Sequence, residues 1–160
     1  MKKLLIIGFF VCGAYLNLSA QANNVSLNVI GKYVEESGVL FNGNLETSYL
    51  SGAVESMYEI TDGVKDGKIV VYHENGSSKE TGNFNQGKKN GEWISYSKDG
   101  KISSIAFYKN DVKHGTWKIA DDNGVVRSIQ QYTNGKRSGT WKSFDAKGKL
   151  TESITYWFGN

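Results

Sequence analysis

The chain has no proline and a single cysteine, Cys12, among its 160 residues. Without proline, every backbone N–H is available to a hydrogen-bonded ladder, which suits strands paired on both sides. Cys12 lies in the apolar stretch near the N-terminus, so the rest of the chain can form neither a disulfide nor a thiol site. Histidine is scarce: His73 and His114 are the two present, and neither is spaced from another His or Cys as metal ligands are. They read as surface polar residues. Charge of one sign is missing too. Lys2 and Lys3 belong to the N-terminal leader, so the basic count falls from 19 to 17 against 16 acids. That near-balance leaves no electrostatic footprint for nucleic acid or anionic lipid.

Lys2-Lys3 precede an apolar run from Leu4 to Leu16, and Ala20-Gln21-Ala22 has the small-x-small pattern of a cleavage site. Residues 1–22 therefore read as a secretory signal peptide, cleaved after Ala20 or Ala22. The run is well short of the roughly 20 residues a spanning helix needs. Val11, not a small residue, precedes Cys12, which argues against a lipid anchor. The expected location is periplasmic or extracellular.

What is present in excess is glycine at a fixed interval. Gly43, Gly67, Gly91, Gly115 and Gly139 recur every 24 residues, as do Gly52, Gly76, Gly100, Gly124 and Gly148. A third row runs Gly63, Gly87, Asp111, Gly135, Gly159, broken once by aspartate. Such a period is the signature of a repeat architecture. Residues 43–160 form the array. Residues 23–42, with Val25, Leu27 and Val29 alternating and apolar residues at Val39-Leu40-Phe41, read as degenerate strands that precede Gly43 and cap it.

Each unit has two halves of strand length. Two residues past the first glycine row stand Leu45, Ile69, Trp93, Trp117 and Trp141. Three further on come Ser48, Tyr72, Tyr96, Ala120 and Phe144. Behind the second row, position two is Val54, Ser78, Ile102, Val126, Leu150, and position eight is Ile60, Phe84, Tyr108, Tyr132, Tyr156. Equal parity predicts that positions two and eight share a face. Asn75-Gly76, Asp99-Gly100 and Asn123-Gly124 predict two-residue type I′ hairpin turns, with longer polar connections such as Asn134–Gly139 at the other end. The fold expected is all-β: tandem antiparallel hairpins joined edge to edge into one elongated twisted sheet. In a single sheet the apolar rows must cover one another, which accounts for the aromatic load. Aromatics 24 residues apart are expected to stack across strands. Trp93 and Tyr96 differ in parity, so either a bulge realigns them or both faces are partly covered.

Gly91-Glu92-Trp93-Ile94-Ser95-Tyr96 with its Asp99-Gly100 turn and Tyr108-Lys109-Asn110 return resembles the MORN-repeat family in its bacterial variant form. So do Gly115-Thr116-Trp117 with Tyr132-Thr133-Asn134-Gly135, and Gly139-Thr140-Trp141-Lys142-Ser143-Phe144. The resemblance spans about residues 43–160, with Ala120 in place of Tyr, Asp111 in place of Gly, and Leu45 and Ile69 in place of Trp. It implies a hairpin array. Bacterial proteins like this are grouped as YwqK-family antitoxins, and eukaryotic relatives are associated with scaffolding and protein contacts near membranes.

No nucleophile elbow, phosphate loop or His-Glu-x-x-His motif is present, and a one-layer sheet seldom makes a cleft for paired carboxylates such as Glu80 and Glu152. Asp62, Asp66 and Asp99 precede turn glycines and are explained by backbone conformation. The expectation is a non-enzyme without catalytic residues, metal or cofactor. Trp93, Tyr96, Tyr108, Trp117, Tyr132, Trp141, Tyr156 and Trp157 are the candidate binding or packing aromatics. The partner expected is another protein, or a second copy through the aromatic C-terminal edge strand. An antitoxin-like or immunity role and a carbohydrate- or lipid-binding role are the alternatives. A transmembrane barrel is excluded by short, charged strands such as Ser77–Gly82.

Overall fold

In the computed structural model the described residues are 25–157; the leader and Gly159 lie outside them. Among those residues every regular element is a strand. A small hairpin, β1 (Ser26–Leu27) and β2 (Tyr33–Val34), precedes the array. The array comprises β3 (Gly43–Ser48), β4 (Val54–Thr61), β5 (Val64–Tyr72), β6 (Ser78–Asn85), β7 (Lys88–Lys89) and β8 (Gly91–Tyr96). It continues through β9 (Ile102–Lys109), β10 (Val112–Lys113), β11 (Gly115–Ala120), β12 (Val126–Thr133), β13 (Lys136–Phe144) and β14 (Leu150–Tyr156). These form one 12-stranded antiparallel meander in the order β14-β13-β12-β11-β9-β8-β6-β5-β4-β3, with β7 on β6 and β10 on β9. The hairpin array expected from the glycine period is the fold observed.

The turns are the reverse of the expectation. Both central residues have positive φ at Asp62-Gly63, Gln86-Gly87, Asn110-Asp111 and Asn134-Gly135. Those are the two-residue type I′ turns, and they close the end read as longer polar connections. At the Asn-Gly and Asp-Gly end only the glycine is left-handed. There Gly76 N donates to His73 O and His73 N to Ser77 O, both at 2.8 Å. That is a type I turn with a glycine bulge, a three-residue loop.

The extra loop residue lets the residue at the head of the turn cap it. Asp121 Oδ1 accepts Asn123 N and Val125 N, each at 3.0 Å, and Arg127 Nη1 reaches Oδ2 at 3.4 Å. Loss of hydration works against ionisation, but these N–H donors and the guanidinium outweigh it and hold Asp121 below its ordinary 3.8. A carboxyl depressed on folding stabilises above its unfolded value, and the contribution is lost as pH falls through the folded one. Asp121→Asn should therefore flatten stability against pH only below about 4, as measured by urea unfolding across the acid limb.

A register shift recurs beside each of these turns, as between Ser95 and Tyr96, where Ser95 pairs Ser104 but Tyr96 pairs Ile102. The bulge at Ser103 inserts one residue into β9. It carries Ile102 to the face of Tyr96, opposite Tyr108. Positions two and eight thus end on different faces, contrary to parity.

The core lies along one face of the sheet. Leu45, Ile60 and Val25 are buried together with Tyr33, Phe41 and Tyr58 against them. Ile69, Trp93 and Ala106 form the next cluster. The segment before Gly43 does not extend the sheet. It is pinned instead by Tyr33 N donating to Gly63 O at 2.8 Å and Gly63 N to Phe41 O at 3.0 Å, which brings Val25 over the β3 end of the apolar row. Gly63 has φ +71, and a Cβ there would stand 2.7 Å from the Tyr33 carbonyl oxygen. Gly63→Ala is expected to lower unfolding free energy by about 1–3 kcal/mol, read by urea denaturation, from left-handed strain and the displaced clamp.

Candidate functional site: an aromatic ladder and its open edge

The short-half residue of each unit and the long-half residue of the strand beside it meet on the core face. Phe84 and Trp93 lie 5.1 Å apart between ring centroids, Trp93 and Tyr108 6.2 Å, and Tyr108 and Trp117 5.1 Å. The series continues through Trp117–Tyr132 at 5.5 Å, Tyr132–Trp141 at 5.2 Å and Trp141–Tyr156 at 5.1 Å. Interplanar angles of 59–85° place positive ring edges toward negative faces, worth about 0.5–1.5 kcal/mol per pair beyond burial. Indole thus alternates with phenol or phenyl from strand to strand. Aromatics a full period apart do not stack directly, because a ring from the intervening strand separates them.

Six of the eight candidate aromatics are in this ladder. Tyr96 is not. Alternation along β8 sends it to the other face, and the equivalent Tyr72 points its hydroxyl at Met57 Sδ, 3.6 Å away. A bulge is present, but it leaves Tyr96 off the ladder, and both faces carry aromatics. Trp157 follows the last rung and is 79 % exposed.

Sequence reading missed the cations. Lys65, Lys89, Lys113 and Arg137 stand two residues past the third glycine row, at the same period, and each lies over two rings. Lys65 Nζ is 3.7 Å from the Tyr58 centroid and Lys89 Nζ 3.7 Å from that of Trp93. Lys113 Nζ is 4.4 Å from Trp117, and the Arg137 guanidinium carbon 4.7 Å from Trp141. Each also approaches the adjoining ring, at 5.0–5.5 Å. The signal was available in a basic residue recurring every 24 positions, but solvated turns carry the same pattern. Lys89→Met should lower stability by roughly 0.5–2 kcal/mol. A double-mutant cycle with Trp93→Leu, followed by urea unfolding, would separate the cation–ring coupling from Lys89's 3.8 Å ion pair with Glu80.

The indole N–H groups divide the units. Trp117 Nε1 donates to Phe107 O at 3.0 Å and Trp141 Nε1 to Gln131 O at 2.9 Å. Trp93 Nε1 is buried without a partner. Burial, and after it the Glu80 carboxylate, raises the Tyr108 hydroxyl above its ordinary 10.0, so that rung stays neutral.

Of the histidines, His73 lends Nε2 to Tyr96 O at 3.0 Å, and a carbonyl can only accept, so that nitrogen carries the proton. His114 departs from the surface reading: its Nδ1 is buried without a partner. Among the described residues no group of three or more His, Cys, Asp or Glu could hold a metal ion. Asp62 sits at φ 49 in a type I′ turn, and Asp66 Oδ1 accepts Gln86 N at 3.3 Å. These are backbone roles.

The ladder ends differently at its two edges. At β3 the cation position holds Phe41 and the indole position Leu45, which is 2 % exposed. At β14 the strand pairs with β13 alone among the described residues, and Leu150, Ile154 and Trp157 are exposed.

Residues 65–86, 89–110, 113–134 and 137–157, more than half of the chain together, match the MORN repeat variant family. The chain belongs to this family. Each matched MORN segment opens on one ladder cation, so the unit is a cation, an indole or aliphatic strand, a hairpin and an aromatic return strand. The β3–β4 hairpin lies ahead of the first matched segment, although it has the same pairing and turn. MORN repeats are in general non-enzymatic modules that bind protein or membrane. No curated protein matches the chain.

Proposed function

We propose that this MORN-repeat chain is an exported, non-catalytic module that binds a protein partner by strand addition at its sheet edge. The observation that carries the reading is β14, paired on one side only among the described residues, with apolar side chains in solvent. Exposed edges recruit strands, and backbone pairing with alternate side chains in pockets is a recurrent mode of recognition. Export rests on Lys2-Lys3, the Leu4–Leu16 run and the Ala20-Gln21-Ala22 site. A platform for sugar rings or lipid needs open ring faces, and Lys65, Lys89, Lys113 and Arg137 lie over them. The bacterial, YwqK-like grouping that the resemblance implies makes a co-encoded toxin one candidate partner. A toxic neighbouring gene product that co-purifies would establish that immunity reading.

The test is affinity capture of the exported chain from envelope extracts, with the wild type beside Ile154→Lys, an edge-blocking variant. Stoichiometric protein capture by the wild type, lost in the variant, is the expected result. Equal capture by both would remove the edge from the account, and binding to polysaccharide or vesicles with Trp quenching would replace it.

A further inference from the structure

We propose that the strand added to β14 is the β14 of a second copy of this chain, antiparallel about a two-fold at Ile154; this rests on the edge-binding reading above. Each interior return strand has contacts that β14 lacks. Phe84, Tyr108 and Tyr132 each touch an indole of the following unit, whereas among the described residues the ring contact of Tyr156 is with Trp141 behind it. Glu80 on β6 meets Lys89 of the following unit at 3.8 Å, and Glu152 occupies the same repeat position on β14.

Arg137 holds the complementary charge at the same edge. It donates to Tyr156 Oη at 3.1 Å and lies 5.5 Å from that ring. Lys136, Arg137, Thr155, Tyr156 and Trp157 line an open hollow beside the strand. Antiparallel pairing that keeps the ladder faces continuous must join residues of equal parity. With Ile154 opposite its own copy, Glu152 falls opposite Tyr156 of the other copy and beside the Arg137 stacked there. The relation is reciprocal, so two carboxylate–guanidinium pairs form per interface, as an isologous contact requires.

The other edge does not compete. β3 offers Leu45 where an indole would stand and Phe41 where a cation would, so a head-to-tail join would leave Glu152 and Tyr156 without partners. Edge addition is one-ended, and assembly closes at two.

Sedimentation velocity on the full chain purified after export should show a concentration-dependent species that stops at twice the monomer mass. Glu152→Arg and Arg137→Glu should each weaken dimerisation more than about tenfold, because like charges then face each other. An equimolar mixture of the two variants should restore it. The arginine introduced in one copy then meets the glutamate introduced in the other, while the native pair forms on the opposite side of the two-fold. Far-UV spectra and urea midpoints establish that each variant is folded. Should Arg137→Glu unfold, Ile154→Lys, which sets two lysines opposite each other at the two-fold, gives the same loss of dimer.

A wild type that remains monomeric at every concentration overturns the proposal. So does a mixture that stays monomeric, or an assembly that grows past two. A monomer that still captures a different protein, with capture lost in Ile154→Lys, overturns self-pairing and leaves edge binding standing. Dimerisation unaffected by Ile154→Lys removes both.

Discussion

Trp93→Ala is expected to lower the free energy of unfolding by about 3–5 kcal/mol, in the range of buried aromatic truncations. Trp93 is 3 % exposed, contacts Phe84 and Tyr108 and carries Lys89 over its ring. Its removal breaks the ladder between two units and leaves a cavity in a one-layer sheet that has no second layer to collapse onto it. Trp157→Ala, at the exposed end, should stay within about 0.5 kcal/mol of wild type. The indole nitrogen sharpens the comparison. Trp93 Nε1 has no hydrogen-bond partner, whereas Trp117 Nε1 does. Trp93→Phe should therefore lose less than Trp117→Phe, because the first substitution also removes an unsatisfied buried donor. Urea unfolding followed by far-UV circular dichroism reads all four. A nearly neutral Trp93→Ala would mean that the ladder is not what joins the units.

Gly82→Ala should cost about 1–3 kcal/mol, although it adds a single methyl group. A Cβ at Gly82 would stand 2.4 Å from the Trp93 ring, and an indole held by neighbours on both sides cannot swing clear. Its φ is not positive, so the penalty is steric and not conformational. That distinction is measurable in a cycle. In a Trp93→Ala background the same change should become neutral or mildly stabilising, since alanine is favoured over glycine within a strand by roughly 0.5–1 kcal/mol. A penalty that persists without the indole would place the effect in the backbone. The equivalent position enlarges to Ala106 and Gln130 in the next two units. Trp93, beside the glycine, is buried, whereas Trp117 and Trp141 are half-buried.

These two residues also show what can be read from sequence. Trp93 was legible as a packing aromatic because its period and its place after a glycine are local facts. Gly82 was not, since it lies outside all three glycine rows and its meaning comes from an adjacent strand. The cations were periodic and visible, but nothing in Lys65 or Arg137 alone says that its charge lies over a ring. The turns escape a local reading for a related reason. Asn75-Gly76 favours type I′ only when the loop has two residues, and that length is set by which residues pair, not by the dipeptide.

Sequence alone determined the repeat, its 24-residue period, the all-β class and the chain's place in a family of hairpin repeats. Each comes from side-chain types at fixed intervals along one chain. Tertiary structure decided which face holds the ladder, which turns are type I′, how the cations stack and that the β3 and β14 ends differ. Those depend on register and bulges between strands, where a single inserted residue such as Ser103 reverses the face of its neighbours along the strand.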